Sequence, residues 1–93
     1  MNRFNIQKQP LDVMQETAEK VRVLRKSKKW SQEEFSQRSG VSLGSLKRFE
    51  STGQISFTSL LKLGHVLGRL SEFESLFMQK ESRDLKQLFS DKS

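Results

Sequence analysis

The sequence predicts an all-α fold of five helices, with a short arm before the domain and a helical tail after it. Three observations favour this fold: apolar residues recur at helical spacing, serine residues precede several of the periodic segments, and glycine residues follow them. The length of 93 residues suits one domain. We therefore expect an arm over residues 1–11, the domain over residues 12–79, and a charged, amphipathic tail over residues 80–93.

The first helix is predicted from Asp12 to about Lys28. Acidic residues lie near its start and basic residues at its end, which is the arrangement that the helix dipole favours. The residues at helical spacing are Val13, Met14, Thr17, Val21 and Leu24. The basic end forms one stretch, which comprises Lys20, Arg22, Arg25, Lys26, Lys28 and Lys29.

A short second helix is predicted from Gln32 to about Arg38 or Ser39. Ser31 and Glu34 have the spacing of a capping box, in which each side chain satisfies a free backbone N–H at the helix start. Gly40 ends the helix, because a left-handed cap favours a residue without a Cβ atom. We expect Trp30 to pack in the core at the start of this helix; stacking on a nucleobase is the alternative.

The third and fourth helices are bounded by serine and glycine in the same way. Ser42 offers an N-cap for a short helix over residues 43–50, before the break at residues 51–53. Ser56 caps the fourth helix, and Gly68 ends it. The broad apolar face of this fourth helix consists of Leu60, Leu61, Leu63, Val66 and Leu67.

A fifth helix is predicted from a second capping box, formed by Ser71 and Glu74. The apolar side chains of this helix and of the tail exceed what the rest of the domain needs for its core, and such faces commonly become interfaces. We expect a dimer or partner surface formed by Phe73, Leu76, Phe77, Leu85, Leu88 and Phe89.

The second and third helices meet the mechanical needs of a helix-turn-helix, which is two short helices crossing steeply around a tight turn. Apolar residues of both helices and of the turn supply a core, and a small residue stands where the helices approach most closely. The predicted core residues are Phe35, Ser36, Gly40, Val41, Leu46 and Phe49. With Leu46 and Phe49 inward, the outward side of the third helix is small and basic at 100° per residue.

An outward basic helix suits the major groove of DNA, where an arginine can bond guanine bidentately, and Arg48 is the first candidate for this contact. The predicted base-reading residues are Leu43, Gly44, Ser45, Lys47 and Arg48. Helix starts and the chain after the third helix offer donors to phosphate, and the predicted phosphate contacts are Gln32, Ser42, Thr52 and Gln54. Three alternatives stay open: Gly44 as a plain surface residue, Ser42 as a cap alone, and Lys47 on phosphate instead of a base.

The charge of the chain favours a polyanionic partner. Lysine and arginine total 17 against 11 acidic residues, a formal net charge of +6. Nucleic acid is the stronger interpretation than an anionic membrane, because the apolar residues beside the basic stretch are needed for the core. Residues 1–11 lack the apolar run of a signal peptide, so we expect a cytoplasmic protein that is associated with the nucleoid when it binds DNA.

No catalytic or metal-binding constellation is recognisable. The chain has no cysteine, which excludes disulfides and thiolate metal sites. His65 is the single histidine and has no acidic partner at metal-ligand spacing, and the serine residues stand at helix ends, where hydroxyl groups act as caps. We therefore predict neither an enzyme nor a cofactor nor a metal site.

Three segments, VRVLRKSKKWSQEEF, SGVSLGSLKRFE and SLLKLGHVLG, resemble the Cro-type (XRE-like) helix-turn-helix repressors over about residues 17–70. The resemblance implies a five-helix, lambda-repressor-like domain whose third helix enters the groove. It also implies phosphate contacts from Gln32 and Ser42 and base contacts from the five residues named above for that role, Leu43, Gly44, Ser45, Lys47 and Arg48. Gly44 departs from many family members, which often carry a longer polar side chain there, so specificity shifts toward Arg48, Lys47 or DNA shape.

The segment GSLKRFESTGQISFTSLLKLGHVLG, followed by LSEFESLF, is similar to HipB-like antitoxins, which are associated with HipA-like kinase toxins. That similarity implies an autoregulating antitoxin with a kinase toxin as its partner. A short recognition helix reads few base pairs, so we expect a homodimer on a palindromic operator with half-sites about 34 Å apart. The rival hypothesis is an adaptor or toxin-neutralising subunit that binds protein and does not read DNA.

Overall fold

Five helices make up residues 7–79, the part of the chain that the computed structural model describes. Their bounds are α1 Pro10–Ser27, α2 Gln32–Ser39, α3 Leu43–Thr52, α4 Phe57–Val66 and α5 Leu70–Glu74. Residues 7–79 contain no β-strand. The predicted all-α class with five helices is confirmed.

Helix α1 begins at Pro10, earlier than the predicted start at Asp12. Proline suits the first helical position, because its fixed φ is already helical and its missing N–H would have no helical partner there. The backbone N–H of Gln9 donates to Asp12 Oδ2 at 2.8 Å, and Lys8 Nζ lies 2.8 Å from Glu16 Oε1. Residues placed at the end of the arm therefore form the first turn of α1.

The predicted apolar side of α1 is buried in part: Val21 and Leu24 pack against the core, as helical spacing predicted. Ala18 and Arg25 are buried, whereas Val13 is 50% exposed and Met14 36% exposed. The backbone at Gly53 comes close to this end of α1, since a built Cβ atom there would lie 2.9 Å from the carbonyl carbon of Met14. Val13 and Met14 line an open cavity together with Phe49, Ile55 and Leu60, and they stay partly exposed there.

One serine cap and one left-handed glycine bound α2. Ser31 Oγ accepts the N–H of Glu34 at 3.0 Å, and Gly40 ends the helix at φ 79°. The carboxylate of Glu34 accepts from Arg38 at 2.9 Å, so it does not complete the reciprocal half of the predicted box. The helix therefore has its predicted bounds with a single side-chain cap.

Helix α3 is longer than predicted. Ser42 Oγ accepts the N–H of Ser45 at 3.2 Å, and the helix continues to Thr52 before Gly53 adopts φ 86°. Thr52 Oγ1 donates to the carbonyl of Arg48 at 2.7 Å, a bond that a threonine makes within a helix. The expected break at residues 51–53 is therefore reduced to Gly53.

The core lies between α1, α2, α3 and α4. Phe35, Leu46 and Leu63 are fully buried, and Phe49 is 1% exposed. The other core members are Ala18, Val41 and Leu67, against which partly buried apolar residues pack. Close packing of this kind explains why short helices hold a fixed arrangement.

Helix α5 begins at Leu70, so the predicted capping box of Ser71 and Glu74 is wrong. Ser71 lies inside the helix, and the N-cap position is Arg69, which makes no side-chain cap. The chain re-enters a helix directly after Gly68, at φ 75°, and the N–H of Arg69 bonds the carbonyl of Gly64 at 2.8 Å. That bond satisfies a carbonyl in the last turn of α4.

Candidate nucleic-acid interface

Helix α3 turns an apolar side inward and a basic side outward. Leu46 and Phe49 are buried, whereas Gly44, Lys47 and Arg48 are exposed on the other side. Ser45 is also exposed, and Leu43 is half-buried. Four of the five predicted base-reading residues are therefore accessible to a groove, and Leu43 is accessible in part.

The turn between α2 and α3 is held by packing and by one side-chain bond. Phe35 and Val41 are buried, and Ser36 Oγ donates to the carbonyl of Val41 at 2.6 Å. Gly40 makes the left-handed turn that reverses the chain. The two helices therefore present a fixed angle to any partner.

A buried ion pair ties α3 to α1 and α2. Arg25 Nε lies 2.8 Å from Glu50 Oε2, and its Nη2 lies 3.0 Å from Glu50 Oε1. Arg25 Nη1 donates to the carbonyl of Trp30 at 2.8 Å, and Gln32 Nε2 donates to Glu50 Oε1 at 2.9 Å. Both charged side chains are under a tenth exposed, at 8% and 6%. This bidentate geometry satisfies the buried charges and fixes the end of α3.

The sequence interpretation missed this pair, because Arg25 was assigned to the basic stretch that attracts a polyanion. The structure corrects that assignment: Arg25 faces Glu50 and is not available to a partner. A signal existed, since Arg25 follows Ala18 and Val21 at the helical spacing of the buried side. Glu50 likewise lies next to Phe49 and one turn after Leu46.

The end of the basic stretch lies on the surface just before Trp30. Lys26, Lys28 and Lys29 are exposed, and Lys28 Nζ is 5.6 Å from the centre of the Trp30 ring. Trp30 is half-buried, with its ring centre 5.8 Å from that of Phe35, and Arg38 Cζ lies 4.7 Å from the same ring. The indole thus packs against the core on one side and meets cations on the other.

Two predicted phosphate contacts already have intramolecular partners. The amide of Gln32 donates to Glu50, which leaves its second N–H for another acceptor. Ser42 Oγ accepts the N–H of Ser45 and donates to Ser45 Oγ at 2.9 Å. The structure thus establishes Ser42 as a cap, and a phosphate contact from either residue stays a prediction.

The chain after α3 folds back against the outward side of that helix. The N–H of Gln54 donates to Thr52 Oγ1 at 3.1 Å, and Arg48 Nη2 donates to the side-chain oxygen of Gln54. A shallow polar cavity of about 260 Å³ lies here, lined by Ser45, Arg48, Gln54, Ile55, Ser56 and Ser59. Gln54 is exposed and Thr52 half-buried.

The predicted partner surface is exposed in part. Phe77 is 98% exposed and Leu76 47% exposed, but the ring of Phe73 is half-buried and covers Gly64, where a built Cβ would lie 2.5 Å from Phe73 Cε2. Met78 and Phe57 add further exposed apolar surface. The predicted residues Leu85, Leu88 and Phe89 lie outside the described residues.

Residues 7–79 contain no cluster of histidine and acidic side chains able to hold a metal ion, and His65 is exposed. None of the helices in this range combines the length and the apolar character that crossing a bilayer demands.

A comparison with protein families matches the helix-turn-helix model to residues 21–74, which is more than half of the chain. Comparisons with curated proteins and with solved structures gave no match. The matched range includes all of α2 and α3 and the ion pair that fixes them. The chain therefore belongs to the XRE-type helix-turn-helix family of sequence-specific DNA-binding transcription regulators.

Proposed function

We propose that this protein is a transcriptional repressor that binds a palindromic operator as a homodimer and reads it with α3. One observation carries the proposal: Lys47 and Arg48 are exposed on the side of α3 opposite the buried Leu46 and Phe49. In the major groove a guanidinium can donate two hydrogen bonds to O6 and N7 of guanine. Arg48 is the residue that we assign to this contact.

Gly44 supports a close approach of α3 to the bases. A built Cβ atom at Gly44 meets no atom within 4 Å, so packing does not require glycine there. A missing side chain on the outward face lets the helix backbone come nearer to base edges or to the methyl group of thymine. The neighbouring Ser45 is exposed and lies on the same surface.

The small footprint of α3 and the apolar end of the domain support the proposal of a dimer. Ten residues at 1.5 Å per residue give a helix of about 15 Å, which contacts few base pairs. The exposed rings of Phe57 and Phe77, with Leu76 and Met78, form a surface that a second copy would cover. Fully burying one large apolar side chain contributes roughly 1.5–3 kcal/mol, so covering these residues favours self-association.

The test is selection of bound duplexes from random DNA with the full chain, followed by sedimentation of the free protein and the complex. We expect a palindromic consensus with half-sites about 34 Å apart, a dimer on the DNA, and an affinity that falls steeply with salt as phosphates release counterions. A protein that enriches no sequence and binds independently of salt would contradict the proposal and support the adaptor hypothesis.

The narrower hypothesis, an autoregulating antitoxin, is supported by the resemblance of residues 44–68 and 70–77 to HipB-like proteins. It predicts that the selected operator occurs upstream of the chain's own gene and that a purified HipA-like kinase encoded beside it forms a stable complex with the full chain. A cognate kinase that forms no complex would leave the repressor proposal intact and refute the antitoxin role.

A further inference from the structure

We propose that Gln54 is a positioning residue that fixes the guanidinium of Arg48 for base recognition. This inference rests on the proposed function, because it assigns Arg48 to a base. Its starting point is the hydrogen bond from Arg48 Nη2 to the side-chain oxygen of Gln54. Gln54 then raises base preference without touching a base itself, which differs from the phosphate contact expected from the sequence.

The backbone that carries Gln54 is fixed on both sides. Before it, the N–H of Gly53 bonds the carbonyl of Phe49 at 2.7 Å, and Gly53 packs against the backbone of Met14 with no room for a side chain. After it, Ile55 is half-buried and packs against the core. The side chain of Gln54 is exposed, but its point of attachment is set by α1 and by the core.

Thr52 adds a second connection between the loop and the arginine. Its hydroxyl donates to the carbonyl of Arg48 at 2.7 Å and accepts the N–H of Gln54 at 3.1 Å. Arg48 and Gln54 are therefore joined twice, through Thr52 at the backbone and directly through the side chains. The carboxamide of Gln54 is held at the distance that the guanidinium can reach.

The chemistry of the two side chains decides which atom of Gln54 faces Arg48. A guanidinium only donates hydrogen bonds, so the acceptor must be the oxygen of the carboxamide and not its nitrogen. A guanidinium has five N–H groups, and one bond to Gln54 leaves enough donors for the O6 and N7 atoms of guanine.

An arginine whose side-chain conformation is restrained discriminates between bases better than an arginine whose side chain is mobile. Arginine loses rotamer freedom when it binds, and an intramolecular partner removes part of that loss before DNA arrives. The same restraint keeps the guanidinium from turning to a nearby phosphate, which would bind any sequence equally. Positioning therefore raises the preference for the correct base more than it raises the affinity for DNA in general.

The decisive variant is Gln54→Met, which keeps a long unbranched side chain and removes the acceptor. The probes are the duplex selected from random DNA and the same duplex changed at the base pair whose preference Arg48→Ala abolishes. We expect Gln54→Met to lower the affinity ratio of the two duplexes about five-fold, a size typical of coupled neighbours. In the Arg48→Ala background the same substitution should leave the ratio unchanged.

Two further variants separate positioning from structural or phosphate effects. Gln54→Glu retains an acceptor, so it should keep the base preference although its charge weakens binding to both duplexes. Gln37→Met makes the same chemical change at an exposed position of α2 and should keep both the ratio and the affinity. All variants should melt at the temperature of the parent protein, since neither glutamine is buried.

Two outcomes would overturn the inference, and they are distinguishable. If Gln54→Met weakens both duplexes equally and adds to the effect of Arg48→Ala, Gln54 contacts phosphate, and only the positioning role fails. If Arg48→Ala itself changes no base preference at any position, the base-reading role in the proposed function fails as well.

Discussion

Large apolar residues are buried in the helix-turn-helix unit, which consists of α2 and α3. At the end of the domain around α5, large apolar residues are exposed. Phe35, Leu46 and Phe49 are buried almost completely, and the exposed positions of α3 are polar, basic or glycine. Around α5, Phe77 is 98% exposed and no residue of the helix is buried. The first region has a complete core within one chain, whereas the second leaves apolar surface that a partner can cover.

The helix caps also differ between these two regions. Helices α2 and α3 each have a serine N-cap and a left-handed glycine after the last residue. Helix α5 has Arg69 at its N-cap without a side-chain cap, and it spans five residues. Substitutions of buried residues in the first region should therefore change folding, and substitutions of exposed apolar residues in the second should change association.

The largest contrast is expected between two phenylalanines. Phe35→Ala should lower the free energy of unfolding by about 3–5 kcal/mol, because it leaves a cavity in the core. Phe77→Ala should change it by less than about 0.5 kcal/mol in the monomer and should weaken self-association. Urea denaturation and sedimentation measure the two effects. Equal losses of stability would show that the two regions do not differ as described.

A second comparison uses two ion pairs. Glu50→Ala leaves the buried charge of Arg25 without its partner and should cost about 3 kcal/mol of stability or more. Glu34→Ala removes an exposed pair with Arg38 at i,i+4 spacing, 2.9 Å long, and should cost about 0.5 kcal/mol. Thermal unfolding at one pH and ionic strength compares them. A small effect of Glu50→Ala would mean that packing alone fixes α3.

A comparison of two left-handed glycines tests the contact between Gly53 and the backbone of α1. Gly40→Ala meets no atom within 4 Å, so only the backbone conformation opposes it, at about 1–2 kcal/mol. Gly53→Ala adds a Cβ atom 2.9 Å from the carbonyl carbon of Met14, so its loss of stability should exceed that of Gly40→Ala. The midpoints of urea denaturation of the two variants compare these losses of stability. Similar midpoints would indicate that the loop after α3 can move away from α1.

Local signals predicted the parts of the fold that local contacts determine. Ser31, Gly40 and Ser42 act where the sequence placed caps and a turn, because each acts on a neighbouring backbone group. The partners of Arg25 were not predictable from charge alone, since an ion pair across 25 residues depends on packing that composition does not describe. The start of α5 was mispredicted for a different reason: the helix begins after Arg69 without a side-chain cap, so the spacing of serine and glutamate did not indicate it.

The candidate site was likewise predictable in part from the sequence. Helical periodicity predicted that Lys47 and Arg48 face away from Leu46, and the structure has them exposed. The bond between Arg48 and Gln54 depends on the path of the loop after Gly53, which periodicity does not describe. Base and phosphate contacts themselves remain predictions that need DNA.

The most direct test of DNA reading by α3 is the affinity of Arg48→Ala for the selected operator, measured by fluorescence anisotropy at fixed salt beside a random duplex. Arg69→Ala, the same change at the start of α5, is the matched control. We expect Arg48→Ala to lose about 1–3 kcal/mol of operator binding with unchanged folding, and Arg69→Ala to keep the operator preference. Operator affinity that is unchanged in Arg48→Ala would contradict the account.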